Sequence, residues 1–371
     1  MDKAFVMYVP GSKLSEFHKR SPWLMIPKSF KDIGYCSILI CGSYNLSSSY
    51  GIDVYTTLER KENFLKSLFE PFLAFKRIFT VKPDIVLISP IGSYLFSIIP
   101  LIIIYSIYEK LIRSKKTKFI LKTDWSLDFT NIKWYKRMLL VMLLVLSSYI
   151  FARISIETYC GVTRAKKIST VREKSIVRIP LGYPQNIDFD SHRINAKNND
   201  IILCVARITE MKGQIILLKS FLNLYQKYPK WKLMFIGPID DVNYKIKLDR
   251  IIQENNLNAR VSFEDFVEEN VLIEKMEQAS IFCLPSIHTE SAGQVKYEAV
   301  ALGVPVVTTD IPCRRDNEEL GFLVSSAGSI EGLTRNLELL IGNPQLRRAK
   351  AEFSRKNLFS YIRTAELIRD L

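Results

Sequence analysis

Histidine is scarce in this chain: three residues out of 371, far apart in sequence. A zinc site, which is built on closely spaced imidazoles and thiolates, is therefore not expected. The six cysteines, at 36, 41, 160, 204, 283 and 313, show no metal-like pairing either. Two of them fall inside apolar strand-like runs, so they read as small apolar residues in a reducing compartment. No segment is of low complexity, and there is no repeat of roughly 20 to 50 residues, which excludes a solenoid. The N-terminal run Met1-Asp-Lys-Ala-Phe-Val-Met-Tyr-Val-Pro lacks the long apolar core of a signal peptide and is expected to form a first strand. Asp188-Phe-Asp190 mimics a metal-binding acidic pair, but it follows Pro184 in a loop-like stretch and is expected to be solvated surface.

The length suggests about two domains, each large enough for its own core. Fifteen glycines and fifteen prolines in a chain of this size fit an ordered globular protein. The formal excess of fourteen positive charges is unevenly placed. Between Asn131 and Arg178 ten Lys or Arg face two Glu, a net of plus eight. The same segment holds Met138 to Ala152, fifteen residues without a charge, preceded by Trp134, Tyr135, Lys136 and Arg137. Three readings fit it. A transmembrane helix needs roughly 17 to 25 apolar residues, so this run is short. A buried core helix is the second, and a helix lying in the membrane interface, rimmed by aromatic and basic residues, is the third.

Ile85 to Tyr108 is a longer uncharged stretch of twenty-four residues. Asp84-Ile-Val-Leu-Ile-Ser-Pro90 within it reads as a strand and turn, and Pro100 interrupts the remainder. A strand followed by an unusually apolar helix is therefore expected. The basic tail Arg113-Ser-Lys-Lys-Thr-Lys118 is either a solvated loop or a contact for anionic lipid head groups.

The remaining pattern is that of an α/β protein with two doubly wound halves. Strands are expected at Ala4 to Val9, Cys36 to Cys41, Ile52 to Tyr55, Asp84 to Ser89, Lys118 to Thr123 and Tyr149 to Ile156, with helical patterns such as Lys61 to Thr80 between them. In the second half they are expected at 201 to 205, 232 to 236, 261 to 263, 281 to 284, 304 to 308 and 322 to 324, alternating with helices as a parallel sheet requires. Ile215, Leu218, Phe221, Leu222 and Tyr225 recur at three- and four-residue spacing and should face that sheet. The domains are read as 1 to 184, 185 to 355, and a closing helix within 356 to 371 that crosses back to the first domain.

The most informative stretch is His288-Thr-Glu290-Ser-Ala-Gly-Gln-Val-Lys-Tyr-Glu298-Ala-Val-Ala-Leu-Gly303-Val-Pro305-Val-Val307. An acid ends a loop, small residues open a helix, and a second acid lies inside it. Residues 291 to 295 (Ser291, Ala292, Gly293, Gln294, Val295) would offer backbone N–H groups where the helix dipole favours a diphosphate, so the arrangement suits a phosphorylated sugar. Upstream, Ala279-Ser-Ile-Phe-Cys-Leu-Pro-Ser286 reads as a buried strand, which puts the pair at a strand's carboxyl end, where α/β folds bind ligands.

This passage resembles the donor-site signature of family 4 of the retaining GT-B glycosyltransferases (glycosyl transferases group 1). Ile201-Ile-Leu-Cys-Val-Ala-Arg207-Ile-Thr-Glu-Met-Lys212-Gly213, Trp231 to Gly237 and Val261 to Val267 are similar to the family's neighbouring strands and loops. Asp310-Ile-Pro-Cys-Arg-Arg-Asp-Asn317 departs from it, since the family has small residues and a Glu there. The resemblance implies the GT-B architecture, two facing Rossmann-like domains with a cleft between them. It implies that Arg207 and Lys212 take the diphosphate of a UDP- or GDP-sugar, that Glu298 holds the ribose, and that Glu290 meets the sugar near its reacting carbon. Val267 would lie beside the base, and Gly11, in the turn after the first strand, near the diphosphate. Asp124 is either a polar or basic contact to the acceptor or a helix N-cap. No metal or other cofactor is implied.

The expected activity is retaining transfer of a hexosyl group to a glycan or lipid-linked acceptor by a cytoplasmic enzyme peripheral to an anionic membrane. Two other readings compete. A catalytically silent GT-B partner subunit is opposed by the intact Arg207, Lys212, Glu290 and Glu298. A nucleic-acid binder is suggested by charge alone and opposed by the lack of aromatic-basic RNA motifs.

Overall fold

The computed structural model describes residues 3–15, 18, 21–58, 64–89, 94–112, 116–123, 132–183, 199–288 and 293–371. The chain divides into two compact units, Met1–Pro184 with Phe359–Leu371, and Gln185–Leu358. The first unit runs β1 (Ala4–Ser15), α1 (Pro22–Asp32), β2 (Cys36–Asn45), β3 (Asp53–Thr56), α2 (Phe64–Val81), β4 (Ile85–Ile88) and α3 (Leu95–Ile112). It continues through β5 (Lys118–Thr123), α4 (Trp134–Ile150), β6 (Arg153–Ile156), α5 (Tyr159–Lys166) and β7 (Ile176–Arg178). The second unit holds β8 (Ile201–Val205), α6 (Gln214–Leu222), β9 (Lys232–Ile236), α7 (Val242–Glu254), β10 (Val261–Glu264) and α8 (Glu269–Gln278). Then come β11 (Ile281–Leu284), α9 (Gln294–Ala301), β12 (Val306–Thr309), α10 (Arg314–Glu319), β13 (Leu323–Ser325), α11 (Ile330–Gly342) and α12 (Pro344–Lys356). The last helix, α13 (Tyr361–Asp370), belongs to the first unit and packs on α1.

Both sheets are parallel and doubly wound, with orders β3-β2-β1-β4-β5-β6-β7 and β10-β9-β8-β11-β12-β13 among the described residues. In each, the order reverses at one place: between β1 and β4, and between β8 and β11. Helices on the two faces leave the strands buried on both sides, which is why they read as continuous apolar runs. Cys204 and Cys283 belong to this packing, and burial pushes the Cys283 thiol well above the ordinary range. In the first unit burial pushes the Cys41 thiol up to about 12.

Several expected boundaries shift. The first strand does not end in a turn before Gly11: it continues to Ser15 through a break in register between Val9 and Lys13, with Gly11 left-handed at φ 59° inside the break. The strand expected at Tyr149 to Ile156 starts only at Arg153, because the Leu- and Met-rich run before it stays helical to Ile150. In α6, Leu217, Leu218 and Phe221 are fully buried, whereas Ile215 and Leu222 are only half-buried and Tyr225 follows the helix end. The strand expected from 304 begins at Val306, since Gly303 and Val304 still close α9.

One buried carboxylate organises the carboxyl end of the first sheet. Glu70 on α2 accepts hydrogen bonds from the Tyr8 hydroxyl, from the Thr57 hydroxyl at 2.6 Å and from the Gly11 backbone N–H. Burial raises its pKa from 4.5 in spite of the three donors. A raised folded-state value means that the native protein binds this proton more tightly than the unfolded chain. The resulting stability is fully present below the unfolded pKa and is lost as pH rises through the folded one. In thermal melts across pH, the wild type should therefore hold its largest advantage over Glu70→Gln in acid and lose part of it toward neutrality. A difference in melting temperature that does not change with pH would remove Glu70 from this role.

Candidate functional site

The reversal between β8 and β11 creates the one place in the second sheet where two adjacent strands send their following loops to opposite sides, opening a crevice at their carboxyl ends. The loop after β8 carries Arg207 and Lys212, and the loop after β11 leads to Gly293 and α9. The two loops are joined directly. The Ile287 N–H donates to the Met211 carbonyl at 3.0 Å. Gly213, left-handed at φ 69°, sits so close to the second loop that a Cβ would lie 2.1 Å from the Pro285 carbonyl oxygen. Only glycine satisfies both demands.

Gln214, the first residue of α6, is fully buried and donates from Nε2 to the Arg207 carbonyl at 2.9 Å, which pins the start of the loop to the helix at its end. The Arg207 side chain points outward and pairs with Asp240, in the loop after β9, at 2.7 Å, with 60% and 37% of the two side chains exposed. A pair this exposed contributes about 0–1 kcal/mol, so an anion with two charges can compete for the guanidinium. Lys212 is half-buried on the same loop.

Gly293 caps α9 in the left-handed region, at φ 72°. The first described bond of that helix runs from the Lys296 N–H to the Gly293 carbonyl at 2.9 Å, so the amides of Gln294 and Val295 lie in the first turn, ahead of the intrahelical ladder. Glu298 is buried, at 7% exposure, on the same helix. The helix stops where Gly303 (φ 77°) donates to the Val300 carbonyl and Val304 to the Ala299 carbonyl, a Schellman closure that explains the Gly-x-Pro ending. Val267 follows β10, at the same edge of the sheet as the other loops because all six strands are parallel.

The second unit thus gathers Arg207, Lys212, Gly293, Gln294, Val295 and Glu298 around one switch point, with Val267 further along its edge. Gly11 lies in the first unit, held by Glu70. Asp124, Glu290, Ser291 and Ala292 lie outside the described residues, as does the pair at Asp188 and Asp190. Among the described residues no group of three or more His, Cys, Asp or Glu is placed to hold a metal ion.

Asp240, Gln214 and Glu70 were not singled out in the sequence, although a lone acid in the apolar run of α2 is a usable signal. The departure at 310 to 317 also has a structural answer. Lys296, fully buried, donates to Asn317 Oδ1 at 2.9 Å, and Asn317 Nδ2 donates to the Thr309 and Ile311 carbonyls at 3.0 and 3.2 Å. Asp310 Oδ1 accepts from the Ala327 N–H at 2.9 Å. The helix α10, which follows β12, is therefore tied to α9 by a lysine–asparagine contact.

The fold is that of the GT-B glycosyltransferases. HepE of Anabaena, solved in complex with UDP, superposes with a TM-score of 0.71 at 15% identity, covering 99% of this chain and 98% of that one. Residues 185–357, nearly the whole second unit, match the family of glycosyl transferases group 1. An uncharacterized glycosyltransferase of Haemophilus influenzae is 30% identical over 217 residues, 53% of this chain and 58% of that protein. The capsular polysaccharide biosynthesis glycosyltransferase CapM of Staphylococcus aureus is 28% identical over 201 residues, 50% of this chain and 51% of that protein. The chain thus spans a little over half the length of these relatives.

Gly213→Ala should lower stability by about 1–3 kcal/mol, read from thermal melting curves. Unchanged melting would refute the close approach to Pro285. Lys296→Met and Asn317→Leu should each lower the melting temperature, and the double variant by less than their sum, because both single changes remove the same buried hydrogen bond, worth about 0.5–1.5 kcal/mol. Strict additivity would mean that the two side chains are not coupled.

Proposed function

We propose that the protein is a retaining, metal-independent glycosyltransferase of family 4, moving a hexosyl group from a UDP- or GDP-sugar to a glycan or lipid-linked acceptor at the cytoplasmic face of a membrane. The observation that carries this reading is the switch point of the second sheet, where two cationic side chains, a glycine-led helix and a buried glutamate meet. The UDP in the HepE complex and the polysaccharide role named for CapM support the donor class and the acceptor class.

In this reading Arg207 and Lys212 neutralise the diphosphate, and the amides of residues 291 to 295 complete its cradle. Arg207 exchanges Asp240 for the donor as it binds. Glu298 accepts hydrogen bonds from the ribose hydroxyls, Val267 borders the base, and Glu290 meets the sugar near its reacting carbon. Asp124 contacts the acceptor. The acceptor oxygen attacks on the face from which the diphosphate leaves, and the departing phosphate helps to take the proton. Charge grows on that phosphate as the bond breaks, so fixed cations act chiefly on the transition state.

Slow hydrolysis of UDP-, GDP- and ADP-sugars tests the assignment. One donor should be preferred, Glu290→Gln should lose its hydrolysis, and Arg207→Ala should lower kcat by about 100- to 1000-fold. Equal turnover by wild type and Glu290→Gln would show that this carboxylate has no part in the chemistry.

A further inference from the structure

The first unit exposes apolar side chains in one place. Of its exposed large hydrophobic residues, all the described ones except Leu58 lie on α2, α3 and α4, which pack side by side over the sheet. From Met138 to Ile150 the helix α4 carries no charge. Leu143, Leu144, Ser147 and Ser148 face the core, while Tyr135, Met138, Met142, Leu146 and Tyr149 form a stripe at three- and four-residue spacing on the outside. The helix α3 repeats the arrangement, with Ile98, Leu101, Ile102 and Tyr105 inward and Ile103, Ile104, Ile107 and Leu111 outward. On α2 the outward residues are Phe69, Phe72 and Leu73. A soluble surface helix puts charge where these residues stand.

Charge says what covers this face. The two described acids of the three helices, Glu70 and Glu109, are both buried at 3% exposure, and Glu109 is engaged by the Thr117 amide and hydroxyl. Among the described residues of these helices the exposed charges are all cations: Lys76, Lys110, Lys136 and Arg137, with Lys133 at the start of α4. Trp134, 73% exposed, and Tyr135 stand beside them. A second copy seated on this face would set cations against cations. A bilayer bearing anionic head groups offers the complementary charge, and its acyl boundary takes the apolar stripes.

The helix α3 is the one described helix long and apolar enough to cross a membrane, by length and composition. Its inner face, however, belongs to the same core cluster as β1, β4 and β5, so crossing would mean tearing that core open. We infer that the outer face of α2, α3 and α4 is a docking surface for an anionic lipid bilayer, on which the first unit lies flat without a span. The inference rests on the membrane-peripheral reading above and adds the surface that serves it.

Sedimentation of the full chain with vesicles of phosphatidylcholine, alone or mixed with phosphatidylglycerol, tests it. Binding should need the anionic lipid and weaken with salt. Met142→Glu with Leu146→Glu should lower the partition about tenfold at an unchanged melting temperature. Val242→Glu with Ile246→Glu, which adds the same charge at exposed apolar positions of the second unit, should leave it unchanged. Membranes carrying the protein should release it into alkaline carbonate. Equal losses in both double variants, or retention through carbonate, would overturn the proposal. So would a wild-type dimer in light scattering that the Met142→Glu/Leu146→Glu variant splits, since a second copy would then own the face. Donor hydrolysis in lipid-free buffer is read in parallel. Absence of vesicle binding by the wild type with hydrolysis intact overturns the surface alone, and absence of hydrolysis with wild-type vesicle binding intact overturns the enzyme reading alone.

Discussion

The close approach of Gly213 to the Pro285 carbonyl is the constraint on which the second unit's chemistry depends. It brings together the two loops that leave the sheet where its strand order reverses. Once they touch, Arg207 and Lys212 on one loop and the start of α9 on the other share a single edge. Gln214 holds one end of the first loop, and the Ile287–Met211 bond holds its middle to the second. The segments at 207–214 and 285–287 are thus held to each other by the fold itself.

The second sheet was legible because a parallel strand buried on both faces is a short apolar run bounded by glycine, proline or a polar turn. Ile201–Val205 and Ile281–Leu284 coincide with the runs read from the sequence, and β12 differs only because Gly303 and Val304 close a helix in a manner that depends on three-dimensional bonding. The site was legible where its motif is local, as in Arg207 to Gly213 and Gly293 to Gly303. It was not legible where partners are remote. Asp240 meets Arg207 across 33 residues and Glu70 meets Tyr8 across 62, and no pattern along the chain marks either pair. Gly11 was placed after a strand that in fact runs on through a bulge, because an interruption of register leaves no trace in the hydrophobic alternation.

The helix α4 shows why composition alone left three readings for Met138 to Ala152. A run that is apolar on every side carries no moment to say which side is inside. The structure assigns the sides: Leu143 and Leu144 are core, and Met142 and Leu146 are not. The core-helix reading is therefore true of one face, and it leaves the other unexplained by folding. The return of α13 to the first unit has a similar character. Its approach is fixed by a glycine, Gly182, whose Cβ would stand 2.7 Å from the Tyr361 backbone, and nothing in the helix's own sequence names that partner.

The contact between Lys296 on α9 and Asn317 on α10 joins positions 21 residues apart. The two side chains share a buried hydrogen bond, which Asn317 extends to the Thr309 and Ile311 carbonyls. A change at either position is therefore felt at the other, and the course of the chain after β12 is coupled to the packing of α9.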